Sequence, residues 1–407
     1  MNNYTTADQS LIRELNTSIV MDNIRLYAPL SRAELAQRTG LNRSTISLII
    51  DELISRGFVH ETARQNPTIG RPGISLQLNP DGGFVVGLEI GVDFLTVIVT
   101  NFIGEILWRS NLEITPEEEQ IAILERCELA IEDALTYGQG LNLRPLGIGV
   151  GIPGLVDARQ GKLIFAPNLH WNDVPLRLIF MRRFDLPVFV ENEANCALLG
   201  EYFFGMARNI KDFIYLKTGV GLGGGIMIGG KLFRGSTGFA GEIGHMTLYG
   251  GGDLCGCGRK GCWETYVRPS RLLQEVAAHL RSGETSLLSN LAHGEIEKIT
   301  MDMVVKAAQE HDAVALNALT VLGGHLAVGI CNLINVFNPE LVVLGGSLSL
   351  TGPWLLPVIN EALQTDILPP LRSSIRIEAS AQGEDACLLG AISLVLSDIL
   401  NAPLTGK

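Results

Sequence analysis

The sequence predicts an α/β protein in two parts, a helical head over residues 1–80 and a two-lobed body over residues 81–407. Three observations carry that expectation. A capped helix-turn-helix pattern occupies residues 31–55. Two glycine-rich strand pairs, opening at Phe84 and Phe213, each begin a region where short apolar runs alternate with helical stretches. One histidine and three cysteines gather between His245 and Cys262. Strand–helix alternation that occurs twice reads most economically as a duplicated α/β lobe with a cleft between the copies.

The totals fit this division. A chain of 407 residues is long enough for two or three domains with sizeable cores. Hydrophobic content of 46% and charged content of 18% describe a globular protein rather than a disordered one. The net charge of −12 would argue against nucleic acid if it were spread evenly, but it is not. Residues 1–80 hold eight arginines against seven carboxylates, so the whole negative excess sits on the body. A near-neutral, all-arginine head on an acidic body suits a small DNA-contacting module fused to something else. The first residues lack the basic and apolar regions of a signal peptide. Residues 84–103, the most apolar stretch of that length on this reading, are interrupted by Glu89 and Asp93 and read as buried strands, not a membrane span. Seven cysteines, an odd number, suit a reducing compartment, so a cytoplasmic protein without membrane contact is expected.

In the head, Ser31 and Glu34 form a capping box that opens a short helix through Thr39. Gly40-Leu41-Asn42 makes the turn, with Asn42 placed to cap the next helix. That helix carries Ile46, Ile49, Ile50, Leu53 and Ile54 at one-face spacing. Its opposite face begins with Arg43, Ser44, Thr45 and Ser47, the candidates for reading DNA bases. Residues 11–27 give a third helix to pack behind the pair. Residues 58–62 and Ile74–Leu78 read as two strands joined by a loop containing Arg64 and Arg71. A hairpin behind a helix-turn-helix is a wing, and Arg71, held in Gly-Arg-Pro-Gly, suits a narrow minor groove. A helical protein-binding module with a merely solvated polar face is the bland alternative.

In the body, residues 84–91 lead into Phe94–Asn101 and 104–109, and residues 213–219 lead into 225–229 and 231–233. Residues 146–151, 188–191, 341–344 and 375–378 are buried-strand runs, while 122–137, Ala313–Phe337 and 385–400 are helical in period and length. Lobe 1 is expected over about 81–205 and lobe 2 over about 206–385, with the helix at 385–400 packing back on lobe 1. Residues 281–300 read as a loop-rich connector.

His245, Cys255, Cys257 and Cys262 supply one imidazole and three thiolates, the ligand set of a closed tetrahedral structural zinc site. Gly256, Gly258 and Gly261 let the backbone turn tightly enough for three sulfurs to converge. Soft thiolates with imidazole select Zn(2+) over magnesium or calcium. A disulfide in a glycine-rich loop is the poorer reading, because Cys255-x-Cys257 is too short to pair comfortably. Glu242 and Glu264, on either side, are not needed by such a metal and hint at a second site.

Gly-His-x9-Cys-x-Cys-Gly-x2-Gly-Cys-x-Glu, from Gly244 to Glu264, resembles the zinc signature of the ROK family, which contains sugar kinases and sugar-responsive transcriptional repressors. The resemblance implies a two-lobed actin-like (ribonuclease H-like) body and, because the family's repressors carry a winged helix-turn-helix that its kinases lack, a repressor. It further implies that Asn192, Glu193, Glu242, His245 and Glu264 face sugar hydroxyls, with Gly154 and Asn168 as lesser candidates for the cleft wall. Carboxylates and amides suit vicinal hydroxyls, and His245 can offer one ring nitrogen to the metal and the other to a hydroxyl.

The family's kinase motifs are damaged here. Its first phosphate loop, Asp-x-Gly-Gly-Thr, becomes Glu89-Ile90-Gly91-Val92-Asp93, where Val92 crowds a phosphate and Asp93 repels one. The second loop, from Thr218 to Gly224, is better kept. The family's catalytic aspartate becomes Glu193, whose extra methylene displaces the carboxylate by about an ångström. The expected protein is therefore a non-enzymatic repressor that binds operator DNA as a homodimer or homotetramer and is released by a xylose-, glucose- or N-acetylglucosamine-type sugar. The alternatives are a sugar kinase with a regulatory DNA-binding head, and an adaptor that binds a protein partner.

Overall fold

The computed structural model describes residues 9–63, 74–115 and 117–401. Its contacts divide into two compact units. The first comprises Met1–Ile152, Ala158–Glu191 and Ala391–Lys407; the second comprises Pro153–Asp157 and Asn192–Gly390.

The first unit opens with α1 (Gln9–Tyr27), α2 (Arg32–Thr39) and α3 (Arg43–Ser55). Local chemistry sets their ends. The Ser31 side chain accepts from Glu34 N while the Glu34 side chain accepts from Ser31 N, and Gly40 ends α2 at φ 72°. Asn42 Oδ1 accepts from Thr45 N at 2.7 Å to start α3. A cap of this kind contributes about 1 kcal/mol. Ile46, Ile49, Ile50 and Leu53 are buried, joined by Val20, Met21, Ile24 and Leu35. Strands β1 (Val59–Ala63) and β2 (Ile74–Leu78) pair antiparallel, with Val59 opposite Leu78. The loop with Arg64 and Arg71 lies outside the described residues.

A five-stranded sheet follows, from β3 (Phe84–Ile90), β4 (Phe94–Asn101), β5 (Ile106–Glu113), then α4 (Gln120–Gly140) and β6 (Pro145–Ile152). The third strand ends at 113 rather than 109, because it pairs with β4 along its whole length, from Phe94–Glu113 to Thr100–Ile106. Next come β7 (Leu155–Asp157), β8 (Lys162–Ala166), β9 (Trp171–Val174), α5 (Leu176–Phe184) and β10 (Val188–Asn192). The sheet order is β10-β6-β3-β4-β5, with β3 antiparallel to β4 and parallel to β6. Every residue of β3 is buried. That explains residues 84–103, whose apolar character serves two neighbouring strands.

The second unit contains α6 (Glu193–Phe203), β11 (Phe213–Thr218), β12 (Leu222–Ile228) and β13 (Lys231–Leu232), then α7 (Glu264–Val267), α8 (Pro269–Arg281), α9 (Leu287–Leu291), α10 (Met301–Gln309) and α11 (Ala313–Phe337). It closes with β14 (Leu341–Gly346), α12 (Ser347–Asp366), β15 (Arg376–Ala379) and the start of α13 (Asp385–Asn401). Its sheet order is β13-β12-β11-β14-β15. Each sheet is thus a three-strand meander extended by two further strands, and the two orders correspond strand for strand. The duplication is real at the level of topology.

Two boundaries differ from expectation. Helix α6 packs on β11 and β12 and belongs to the second unit, so the division falls at 191–192 instead of near 205. Helix α13 is shared: Gly390 lies against Cys196 in the second unit, and Ile392 against Gly87 in the first. Residues 281–300 hold α9 and a further helical turn rather than only loop. Helix α11 is long and apolar enough by composition to cross a bilayer, but 61% of its most apolar window is buried in its own unit. There it packs with α8, α10 and α12. It is a core helix.

Candidate functional site

In the head, α3 has one buried and one accessible face. Its apolar stripe faces inward, which leaves Arg43 and Ser44 exposed and Thr45 and Ser47 half-buried. Ser44 Oγ donates to Asn42 Oδ1 at 2.8 Å, so the first turn is ordered by its own cap. Ion pairs engage Arg13 and Arg56 with Glu52, and Arg32 with Asp51 and Glu61. Arg43 forms no ion pair among the described residues, so its charge stays available at the start of the helix. Leu48 is 68% exposed, one turn beyond Ser44.

In the second unit, the segment from Gly241 to Glu264 folds back on itself. Leu248 N donates to Gly261 O at 2.7 Å and Trp263 N to Met246 O at 2.8 Å, which brings His245 beside Cys262. Gly261 holds φ +76°, and a side chain there would overlap Tyr249 O. Trp263 is fully buried, its Nε1 donates to His325 O at 3.0 Å, and its ring fills the space that Gly329 leaves on α11. That anchor fixes the residues on either side of it, Cys262 and Glu264.

The result is a convergent cluster. The ligand atoms of His245, Cys255, Cys257 and Cys262 all lie within 4.8 Å of one another. Cys255 Sγ is 3.7 Å from His245 Nδ1, and Cys257 Sγ is 3.7 Å from Cys262 Sγ. All four groups can therefore reach one metal ion. All three cysteines are free thiols, and their sulfurs are too far apart for a disulfide. Burial pushes the Cys255 and Cys262 thiols up, whereas a hydrogen bond from the Arg259 backbone draws the exposed Cys257 down.

The two carboxylates flank this cluster. Glu264 Oε1 lies 2.7 Å from Cys255 Sγ and 3.5 Å from His245 Nδ1. Glu242 Oε2 lies 3.9 Å from His245 Nε2, the other side of the ring. Burial raises the Glu242 carboxyl above the usual range, His245 opposes that shift and Glu264 adds to it. In the turn joining β11 to β12, Gly221 lies against the Glu264 carboxylate.

Asn192 and Glu193 stand at the start of α6. Asn192 Oδ1 accepts from Ala194 N and Asn195 N, and its Nδ2 donates to Gly154 O at 2.9 Å. Gly154 is thereby tied to Asn192 through its backbone. Glu193 Oε2 is 2.9 Å from Lys217 Nζ, a partner the sequence did not reveal. Asn168 sits in the first unit, in the turn Pro167–Leu169. In that unit, Gly91–Asp93 form a tight hairpin, closed by Gly91 N donating to Phe94 O at 2.8 Å.

Fold and site together define an actin-like α/β protein that carries a helical head and a His/Cys3 centre able to hold a metal ion. The chain belongs to the ROK family, whose pattern matches residues 85–398. It is 34% identical over 400 residues to the xylose repressor of Caldicellulosiruptor bescii, covering 97% of this chain and 99% of that one. A ROK family transcriptional regulator described as a homologue of the E. coli MLC protein matches at a TM-score of 0.83 and 29% identity, covering 97% of this chain and 98% of that one. A ROK family glucokinase from Streptomyces griseus, in complex with glucose and AMPPNP, matches at 0.69 and 32%, covering 77% of this chain and 99% of that one.

Proposed function

We propose that this protein is a transcriptional repressor of carbohydrate-utilisation genes that leaves its operator when a monosaccharide binds its body. One observation carries the reading: a chain that matches repressors over 97% of its length, head included, also holds paired carboxylates braced by a metal-ligand cluster. The head acts as a winged helix-turn-helix. Arg43, Ser44, Thr45 and Ser47 face base edges from α3, and Arg64 and Arg71 on the wing reach the backbone and minor groove. A homodimer or homotetramer presents paired heads to a palindromic operator. Free thiols fit a cytoplasmic setting.

His245, Cys255, Cys257 and Cys262 would hold zinc, which supplies a rigid cross-link and no chemistry of its own here. The sugar site is assigned to Asn192, Glu193, Glu242, His245 and Glu264 of the second unit, with Gly154 as a wall candidate. His245 is aimed by its metal-facing nitrogen, while Glu242 and Glu264 accept from hydroxyls with charge-assisted strength. Coupling follows from linkage: sugar favours one conformational state, DNA another, so each weakens the other's binding by the same factor.

The kinase alternative asks Glu193 to act as a base, yet Lys217 pairs with it, and the first phosphate loop is the hairpin Glu89 to Asp93. With ATP, magnesium and glucose, xylose or N-acetylglucosamine, no sugar phosphate should accumulate. Turnover near about 1 per second, the low end for ordinary enzymes, would overturn the non-enzyme reading.

DNA contact is tested separately. Arg71→Ala should weaken operator binding and lower the slope of log affinity against log salt by about 0.9, the loss of one cationic contact with the DNA. Arg43→Ala should relax base preference by about 1–3 kcal/mol at one position. Wild-type affinity and slope for Arg71→Ala would remove the wing from the account.

A further inference from the structure

The head joins the body through a short turn. Strand β2 ends at Leu78 and β3 begins at Phe84, with the helical turn Pro80–Gly82 between them. Asn79 Nδ2 donates to Gly57 O at 2.8 Å, and Asn79 N donates to Phe58 O at 2.9 Å. One covalent crossing of this kind would still let the head swivel. A second attachment stands just beyond the C-terminal end of α3. There the Phe58 ring stacks on Phe102, the residue after β4, with centroids 5.0 Å apart, and both rings are buried. Arg144, the residue before β6, spans the joint. Its guanidinium lies 4.7 Å from the Phe58 ring centre, Nε donates to Gly82 O at 3.0 Å, and Nη2 donates to Arg56 O at 2.9 Å. Arg56 is the C-cap of α3, so the cation also meets the negative end of that helix.

The length of α3 shows what this attachment controls. Its 13 residues span about 20 Å, and Arg43 to Ser47, assigned to base edges, stand at the opposite end from Arg56. A swivel of about 10° at Arg56 would carry Arg43 through about 3.4 Å, the rise of one base pair in DNA. We propose that Arg144 is a positioning residue that fixes α3 on the body, so that paired heads read the spacing between operator half-sites. The inference rests on the paired-head, DNA-binding reading above and adds spacing to what the protein recognises. Arg144 is exposed, so removing its side chain opens no cavity and should leave the Phe58–Phe102 stack and the caps of α2 and α3 in place. Lysine at 144 keeps the charge but lacks the planar fork that serves Gly82 O and Arg56 O together.

The test uses the full chain and a palindromic duplex that the wild type selects from random DNA. Four probes follow from it: the palindrome, versions with one base pair inserted or removed at its centre, and a single half-site. Affinities are measured at fixed salt for wild type, Arg144→Met and Arg144→Lys. Wild type should lose at least about tenfold on either change of spacing. Arg144→Met should lose no more than about threefold while binding the half-site as wild type does, and Arg144→Lys should fall between. A damaged head or a lost DNA contact would weaken the half-site instead. If Arg144→Met keeps the wild-type penalty for changed spacing, or loses half-site affinity as steeply as palindrome affinity, the proposal fails. Should Arg144→Met fail to fold, Arg144→Lys decides the question by the same penalty. A selected sequence with only one half-site would leave DNA binding standing and overturn this inference alone. Wild type that selects no sequence would overturn the DNA-binding reading itself, and this inference with it.

Discussion

Cys257→Ser should strip the protein of its metal while leaving its core packed. Cys257 is the exposed member of the cluster, so serine there removes a ligand without opening a cavity. The other two cysteines are buried, where the same change would mix lost ligation with lost packing. The wild type is expected to carry one zinc per chain after purification without added metal. The variant should bind at least about a hundredfold more weakly, since even outer-sphere changes cost up to that much. Chelator should lower the unfolding temperature of the wild type and leave that of the variant unmoved. Residues 241–264 should gain hydrogen exchange in the variant, because Trp263 then anchors one side of the loop alone. Wild type holding less than about a tenth of an equivalent of zinc, with chelator-insensitive unfolding, would refute the metal assignment.

Glu242→Gln should produce a repressor that grips its operator but releases it poorly. The substitution keeps the size of the side chain and removes the charge that strengthens a hydroxyl hydrogen bond. The expected loss is about 1–2 kcal/mol, or roughly tenfold in sugar affinity. Glu242 lies 3.9 Å from His245 Nε2, whereas Cys255 lies at Nδ1, so the thiolate cluster should survive the change. Metal content equal to wild type, with a release midpoint moved about tenfold to higher sugar, is the predicted pair of results. Loss of metal in this variant would mean that Glu242 supports the cluster instead of the ligand.

What was legible in the sequence was whatever local chemistry decides. Ser31 with Glu34, and Asn42 before α3, are caps that act over three residues and formed as their spacing required. The stripe Ile46, Ile49, Ile50 and Leu53 declares its buried face by period alone. His245 and the three cysteines converge because the glycines among them act within the same loop. What was hidden depends on chain segments far apart. Lys217 meets Glu193 only because β11 lies under α6. Trp263 finds its place through a glycine on α11, and no pattern near residue 263 announces Gly329. Helix α12 runs through Pro353 and Pro357, residues that argue against a helix until tertiary packing outweighs them. The boundary near 205 was misplaced for a related reason: α6 is nearly all buried, and its sequence gives no sign of which sheet it covers.

The most direct test of the whole account is operator release by the intact wild-type chain. A labelled operator fragment is bound at fixed salt, its fluorescence anisotropy is recorded, and glucose, xylose and N-acetylglucosamine are each titrated in. The account predicts that at least one free sugar lowers operator affinity by about 5–150-fold, the usual range of coupling between two sites, and that operator weakens sugar binding by the same factor. Operator affinity that stays constant to saturating concentrations of a sugar shown by calorimetry to bind would contradict it.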